Sequence, residues 1–264
     1  MYKVLYLNLA RNSLRYIIKT YGIKQLHIPY YLCNVIRQSI VRENCKPIFY
    51  HIDDNFLPCR EFEKKDFILY PNYFGVCDEN VNLLTEKYNN LIVDNAHSFY
   101  SEPKGLACFN SARKFFNVYN GSVLWIKNKG ININYKTEEF KSISDDENEK
   151  IKSEIFFMKK EPAFVQSDFL SDKFKNTENL RIKTVRIFEK LHKKYKDLNC
   201  LKIKTEKIYS PFCYPLLCEN GTVADKKADE LINKGFKIYR YWNSMPKTYN
   251  EYKFYRNLIP VPLT

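Results

Sequence analysis

Glycine is scarce in this chain, and so are the long apolar runs that mark membrane proteins. Glycine accounts for only 7 of the 264 residues, against 21 tyrosines and 19 phenylalanines. No stretch reaches the roughly 18 consecutive apolar residues that indicate a transmembrane helix. The N-terminal sequence MYKVLYLNLARNSL lacks the long apolar core and the small-residue cleavage site of a signal peptide. We therefore expect no membrane span.

The cysteines lack the spacing that typifies zinc sites. No two of the eight have CxxC spacing, and no cluster of cysteine and histidine resembles a zinc site. Most of them, including Cys77, Cys108 and Cys213, lie in apolar segments, where cysteine behaves as a small buried hydrophobe. These features predict a reduced, cytoplasmic protein without a metal site.

No dense basic run accompanies the formal net charge of +13. A basic balance suits phosphorylated ligands, nucleic acid or an anionic membrane surface. A nucleic-acid-binding module would show cations clustered and interleaved with aromatic residues on one face, together with salt-sensitive binding. The lysines are scattered instead, so we keep that module as a remote alternative and expect no nucleic-acid partner.

The chain does have ample apolar sequence, arranged in two alternating patterns. Strand-like segments such as LHIP, KPIFYHID, LIVD and SVLWIK alternate with helical ones such as SLRYIIKTYG and ENVNLLTEKYN over the first 130 residues. This alternation predicts an α/β fold with a mostly parallel sheet and flanking helices. The pattern changes after a polar segment. A smaller α+β domain is predicted there by a long helix, the segment SPFCYPLLC, another helix and the strand-like FKIYRYW. We place the large domain at 1–145 and the smaller one at 146–264.

The segment LIVDNAH places an acid at the end of a strand that looks buried. Parallel sheets carry their sites at the carboxyl ends of their strands, and both Asp94 and Asn72 lie at such ends. The alternative interpretation is that Asp94 or Asn95 caps a following helix. His97 follows three residues behind Asp94, and its own alternative is a structural hydrogen bond.

The segment SARKFFNVYNGS follows the short strand ACF and offers a lysine beside a serine. Ser111 and Lys114 have the Ser-x-x-Lys spacing of a penicillin-binding enzyme, but neither KTG nor SDN accompanies it. Lys114 could also be an ordinary surface lysine. An acid at one strand end and a lysine on the loop of the next strand also fit another pair of roles. The lysine forms a Schiff base with an aldehyde cofactor, and the acid keeps the ring nitrogen of that cofactor protonated.

Several motifs, in order, resemble those of the DegT/StrS-type sugar aminotransferases, which are fold type I enzymes dependent on pyridoxal 5'-phosphate. The segments that carry the resemblance are LNLARNSLRYIIKTYGI, LHIPYYLCNVI, ENCKPIFYHIDDNF, YPNYFG, VDNAHSFY, SARKFFNVYNGS and the C-terminal LINKGFKIYRYWNSMP with EYKFYRNLIPVPL. The resemblance covers most of the chain. It implies transfer of an amino group, with glutamate as the expected donor, to a keto group of a nucleotide-linked sugar. It further implies a role in the biosynthesis of cell-surface polysaccharides or related compounds, and a homodimer.

The same resemblance assigns roles to single residues. Lys114 would be the Schiff-base lysine, Asp94 the partner of the pyridine nitrogen, and His97 a neighbour of the phenolic oxygen. The remaining cofactor-binding residues would be Tyr31 near the ring face, Arg11 and Asn12 with backbone amides at the phosphate, Ser111 with its hydroxyl, and Asn72 at the end of the YPNYFG strand.

The chain also departs from the family pattern. It is about a quarter shorter than typical members; the expected N-terminal arm and the C-terminal continuation are missing. Gly121-Ser122 stands where two glycines are expected, and Val93 where an acid often precedes the key aspartate. These departures keep open a second interpretation, a non-catalytic relative that retains the scaffold. The colour of a bound cofactor would separate the two.

Overall fold

A computed structural model describes residues 1–116, 118, 120–128, 135, 177–243 and 245–263. The strands in this part of the chain are β1 (Tyr2–Leu7), β2 (Gln25–Pro29), β3 (Lys46–Tyr50), β4 (Ile68–Pro71), β5 (Leu91–Asn95), β6 (Ala107–Asn110), β7 (Ser122–Lys127), β8 (Cys213–Leu217) and β9 (Leu258–Pro262). The helices are α1 (Ala10–Tyr21), α2 (Asn34–Arg42), α3 (Asp78–Lys87), α4 (Thr177–Tyr195), α5 (Gly221–Asn233) and α6 (Tyr252–Asn257), with short 3-10 turns at Tyr73–Gly75, Ala112–Lys114 and Thr205–Lys207.

Seven strands form one mostly parallel sheet in the order β1-β7-β6-β5-β4-β2-β3. Strands β6, β5, β4, β2 and β3 pair in parallel. Strand β7 runs antiparallel to both β6 and β1, so β1 points in the same direction as the parallel strands. The predicted α/β fold class, a mostly parallel sheet flanked by helices, is therefore confirmed.

Strand β5 lies in the middle of the sheet and is buried along its whole length. Its side chains alternate between two hydrophobic clusters, one on each face. Leu91 and Val93 join the cluster rich in tyrosine and phenylalanine, while Ile92 joins the aliphatic cluster under α1 and α2. Burial on both faces explains why the strand is a continuous apolar run rather than an alternating one.

Helix α1 connects β1 to the rest of the sheet and ends at a glycine, as the sequence predicts. Leu14, Ile17 and Ile18 are fully or nearly fully buried against the aliphatic cluster. Gly22 adopts the left-handed conformation, and the N–H of Ile23 donates to the carbonyl of Ile18 at 2.9 Å. This is a glycine-terminated helix end, in which the left-handed residue lets the next N–H satisfy a helix carbonyl.

A second, smaller unit forms around the antiparallel pair β8–β9. Helices α4 and α5 pack against this pair in their own hydrophobic cluster. The division at residue 145 stays a prediction, because that boundary lies outside the described residues. The strand predicted for FKIYRYW is wrong: residues 236–242 form neither strand nor helix. None of the described helices combines the length and apolar character needed to cross a membrane.

Candidate active site

Three strand ends meet at one edge of the sheet. In the register of the parallel strands, Pro71 of β4 lies opposite Asp94 of β5, and Asp94 lies opposite Phe109 of β6. Residues that close or directly follow these strands therefore come together. The backbone N–H of Asn72 even donates to the carbonyl of Asp94 at 3.0 Å. This edge is where open α/β sheets bind ligands.

The N-terminus of α1 reaches the same edge. Strand β1 ends there because it points in the direction of β6, and the N–H of Gly121, just before β7, donates to the carbonyl of Asn8. The first residues of α1 line a cavity at this edge. A helix N-terminus presents backbone N–H groups and the positive end of the helix dipole, which together favour an anion.

The cavity contains about 640 Å³ of space that no atom occupies, its open mouth included. Its wall brings together six of the eight residues predicted for the site: Arg11, Asn72, Asp94, His97, Ser111 and Lys114. Cations dominate its charged side chains, since Arg113 joins Arg11 and Lys114 while Asp94 is the acid among the described lining residues.

Asp94 holds a carboxylate in the protein interior. The residue is only 7% exposed, and its Oδ1 accepts a hydrogen bond from the N–H of Ala96 at 2.9 Å. Burial raises the pKa of Asp94 above its ordinary value, while the charge of Lys114 and the Ala96 hydrogen bond act in the opposite direction. A buried carboxylate of this kind gains most from a cationic partner at short range.

Lys114 closes a short 3-10 turn directly after β6. The turn is held by the N–H of Ala112, which donates to the carbonyl of Gly121 at 2.8 Å, and by the N–H of Phe116, which donates to the carbonyl of Ala112 at 2.9 Å. The Lys114 ammonium lies 5.8 Å from the centroid of the Phe212 ring. Its charge reaches both Asp94 and His97.

Two aromatic rings stack nearly parallel to the imidazole of His97. Phe212 stacks on it at a centroid distance of 4.6 Å and 16° between planes, and Trp242 at 5.5 Å and 10°. Burial, assisted by the charge of Lys114, holds the pKa of His97 well below 6.5. Its Nε2 is buried and has no hydrogen-bond partner among the described residues. An unsatisfied buried nitrogen costs about 1–3 kcal/mol, so a ligand atom that pairs with it would recover that energy.

Asn72 lines the cavity, but its side-chain amide is engaged by the protein. Its Nδ2 donates to Oδ1 of Asp78 at 2.9 Å and to Oδ1 of Asn95 at 3.3 Å. Its Oδ1 accepts from the N–H of Cys77 at 3.0 Å. The amide therefore braces the turn after β4.

Two predicted residues do not line the cavity. Tyr31 is fully buried in the aromatic cluster, where its hydroxyl donates to the carbonyl of Phe254 at 3.4 Å and its ring stacks on Tyr73. The backbone N–H of Asn12 donates to the carbonyl of Leu9 at 3.0 Å, and its side chain bonds to Asn8. The roles assigned to them by resemblance stay predictions.

The cavity also contains residues that sequence reasoning missed. Arg113 is adjacent to Lys114, so the sequence motif already contains a second cation. The motif does not indicate that the Arg113 side chain lines the cavity. Trp242 comes from the segment predicted as a strand, more than a hundred residues along the chain. No local pattern indicates that this indole reaches the cavity, because its position depends on packing against rings far away in the sequence.

The described residues fit pyridoxal 5'-phosphate. The buried acid suits a cationic ring nitrogen, the lysine suits an aldehyde carbon, and the helix N-terminus with its neighbouring cations suits a phosphate. The unsatisfied Nε2 of His97 offers a further hydrogen bond to a polar atom. The arrangement can bind an anionic, ring-shaped cofactor and hold an amine beside it.

The chain is similar to solved structures that are described as aminotransferases. Spr1654 of Streptococcus pneumoniae in its PMP form, assigned as a sugar aminotransferase, is 16% identical over 99% of this chain and 82% of that chain, with a TM-score of 0.70. A DegT DnrJ EryC1 StrS aminotransferase of Brucella abortus is 15% identical over 98% and 81%, with a TM-score of 0.67. PseC of Helicobacter pylori, an aminotransferase of pseudoaminic acid biosynthesis, is 16% identical over 98% and 81%, with a TM-score of 0.62.

These similarities establish the fold. The described part of the chain has the fold type I architecture of these aminotransferases, at an identity of about one residue in six. No protein-family model matches the sequence, and no curated protein matches it. The reaction is therefore argued from the cavity itself.

Proposed function

We propose that this protein is a pyridoxal 5'-phosphate-dependent aminotransferase that acts on a sugar. The observation that carries the proposal is the convergence of Asp94, His97 and Lys114 in one cavity at the carboxyl ends of adjacent parallel strands. A buried acid and a lysine on neighbouring strand ends are the two groups that this cofactor requires from its protein.

Asp94 would act on the electronics of the cofactor. Pyridoxal 5'-phosphate supplies a pyridine ring that accepts electrons when its nitrogen is protonated. The Asp94 carboxylate would hold that proton by an ion-paired hydrogen bond, which is stronger than a neutral one. The pairing also removes the cost of an isolated buried charge, so binding of the cofactor should lower the pKa of Asp94 from its raised value.

Lys114 would perform two tasks. Its Nζ would hold the cofactor through a covalent bond before the amino donor arrives, as a nucleophilic lysine does. Once released, the same Nζ would take the α-proton from the donor as general base. It would then return a proton, as general acid, to the cofactor carbon that carried the aldehyde. The N-terminus of α1, with Arg11 and Ser111 on the cavity wall, would anchor the phosphate.

The substrates we propose are glutamate as amino donor and a keto group of a nucleotide-linked sugar as acceptor. The excess of cations at the cavity supports an acceptor that carries a diphosphate. We further propose a cytoplasmic homodimer that works in the biosynthesis of cell-surface polysaccharides or related compounds. The eight cysteines are all free thiols, which suits a reducing compartment.

Reduction with borohydride tests the proposal. Purified protein incubated with pyridoxal 5'-phosphate should absorb in the visible, and borohydride should fix one cofactor per chain on Lys114. Lys114→Ala should lose the fixed adduct. Lys104→Ala is the matched control, because Lys104 lies outside the cavity and bonds to Asn82. An adduct on another lysine, or no visible absorption, would contradict the assignment; the latter would favour the non-catalytic relative.

A further inference from the structure

The two rings that stack on His97 come from the C-terminal part of the chain. Phe212 directly precedes β8, and its N–H donates to the carbonyl of Phe74 at 2.9 Å. Trp242 lies in a segment without regular structure, and its indole also meets the rings of Tyr31 and Phe74. The imidazole of His97 thus stacks with two rings that belong to another part of the fold than its own loop.

Trp242 is held in an unusual backbone conformation. Its φ is +60°, in the left-handed region that large side chains avoid at a cost of roughly 1–2 kcal/mol. Such conformations persist where the surroundings enforce them, and they cluster at functional sites. Near Trp242, Arg240 pairs with Asp225 at 2.6 Å, which ties this segment to α5. The segment therefore holds the Trp242 ring in one position.

We propose that Phe212 and Trp242 act as an aromatic clamp that fixes the plane of the His97 imidazole and excludes water from it, so that Nε2 is kept for a hydrogen bond to a bound ligand. Two observations support the clamp: the nearly parallel stacking of two rings on the imidazole, and the buried Nε2 that has no protein partner among the described residues. The two rings are positioning residues, since they act through His97.

The clamp has a consequence for protonation. The titratable groups that face His97 are Lys114 from the turn after β6, Asp94 from its own loop, and Tyr241 at 5.4 Å between ring centroids. Because burial is the larger cause of the low pKa of His97, opening one face to water should raise that pKa. A change in packing elsewhere in the protein would leave the pKa of His97 unchanged.

Histidine titration by NMR tests the clamp on protein without added cofactor. The chain has four histidines, and His97→Gln identifies the His97 signal by its loss. In the parent protein the His97 ring should stay neutral well below pH 6.5, because burial lowers its pKa. Trp242→Leu keeps apolar bulk but removes the flat face, and should raise the pKa by about one unit or more, a tenfold change in proton affinity. Trp242→Phe should restore most of the parental behaviour.

The controls separate a clamp from ordinary core packing. Trp125→Phe changes the other tryptophan, which packs against the core on β7 and does not line the cavity. It should leave the His97 titration unchanged. If Trp242→Leu lowers the melting temperature but His97 titrates as in the parent, the clamp is overturned. Should Trp242→Leu fail to fold, Phe212→Leu removes the other stacking ring and the same titration decides.

A second readout concerns the ligand, and only this part rests on the proposed function. Pyridoxal 5'-phosphate should bind about tenfold more weakly to Trp242→Leu, with a shifted visible absorption, and nearly as in the parent to Trp242→Phe. Unchanged affinity and spectrum in Trp242→Leu would overturn the ligand role of Nε2. If the parent protein does not bind the cofactor at all, the proposed function fails, while the NMR titration still decides the clamp.

Discussion

At the residue scale, Asp94 combines a costly position with a chemical use. A carboxylate this deeply buried is disfavoured unless it is paired or hydrogen-bonded, and the Ala96 N–H supplies only one such bond to it. Lys114 nearby reduces the cost by its charge. The residue therefore gains more from a cationic ligand than an exposed aspartate would, which is the property that a partner of a pyridine nitrogen needs.

Replacing Asp94 by asparagine should keep the shape and remove that charge. We expect cofactor binding to survive, and the half-reaction with glutamate to slow by about one to two orders of magnitude. A hydrogen bond to a charged group contributes about 1.5–3 kcal/mol, and each 1.36 kcal/mol of barrier is tenfold in rate. Rapid-mixing absorbance would measure the half-reaction. Asp66→Asn is the control, because Asp66 pairs with His27 at 3.4 Å and does not line the cavity. Transamination by Asp94→Asn at the parental rate would contradict the role.

His97 should make the free protein sensitive to acid. Its pKa is depressed in the folded state, so its contribution to stability is fully present above the unfolded value of 6.5 and is lost as pH falls below it toward the folded pKa. In that window the loss is about 1.4 kcal/mol per pH unit. Denaturant unfolding of the parent and of His97→Gln between about pH 5 and 8 would measure it. Equal slopes for the two proteins would show that His97 does not cause the loss.

Residue positions were predictable where the residue ends or follows its own strand, and not where packing decides. Asp94 and Ser111 could be placed at the cavity because a strand end fixes the side chain that follows it. The position of Tyr31 could not be predicted in this way, because its ring packs in the aromatic cluster, away from the cavity wall. Trp242 could not either, because its position depends on contacts with rings far away in the sequence.

At the element scale, the turn after β4 couples the sheet to the loop that carries His97. Phe74 has a φ of +54°, and Gly75 a φ of +71°. Gly75 lies so close to the carbonyl oxygens of His97 and Ser210 that an added Cβ would collide with both. Glycine is therefore required here for two reasons, its backbone conformation and the close approach of two other segments.

Gly75→Ala should be more destabilising than Gly22→Ala or Gly235→Ala. Gly22→Ala and Gly235→Ala are matched controls, because both positions have positive φ but open space around the added carbon. They should cost roughly 1–2 kcal/mol from the backbone alone. Gly75→Ala should cost about 1–3 kcal/mol more through overpacking. Denaturant unfolding of the three variants measures the loss in free energy of unfolding. Equal losses would show that the neighbouring carbonyls move aside without cost.

Elements with a clear local signal were predicted from the sequence. The apolar stripe of α1 with Gly22 behind it, and the apolar run of β5, correspond to the observed elements. The antiparallel direction of β7 has no sequence signal, since direction depends on the connection and not on the strand itself. Residues 236–242 have a strand-like composition, but their aromatic side chains are used to pack on other rings rather than in a sheet.

At the scale of the whole molecule, the charge and the aromatic content act in opposite directions on assembly. A net charge of +13 makes two copies repel each other. Tyrosine and phenylalanine are enriched in interface cores, and large apolar side chains such as Val4, Leu83 and Ile232 are exposed in the single chain. Salt screens the repulsion beyond about 8 Å at physiological ionic strength and only beyond about 30 Å at 0.01 M.

We therefore expect a two-fold homodimer whose stability increases with salt. Closed two-fold dimers are the commonest homo-oligomers, and burial of apolar area should outweigh a screened repulsion. Sedimentation velocity at micromolar protein should give twice the mass of one chain at physiological salt, with more dissociation at low salt because the repulsion then extends further. A monomer at both ionic strengths that still binds pyridoxal 5'-phosphate would show that one chain completes the cofactor site. A dimer that weakens as salt is added would instead show that complementary charges, and not apolar contacts, hold the copies together.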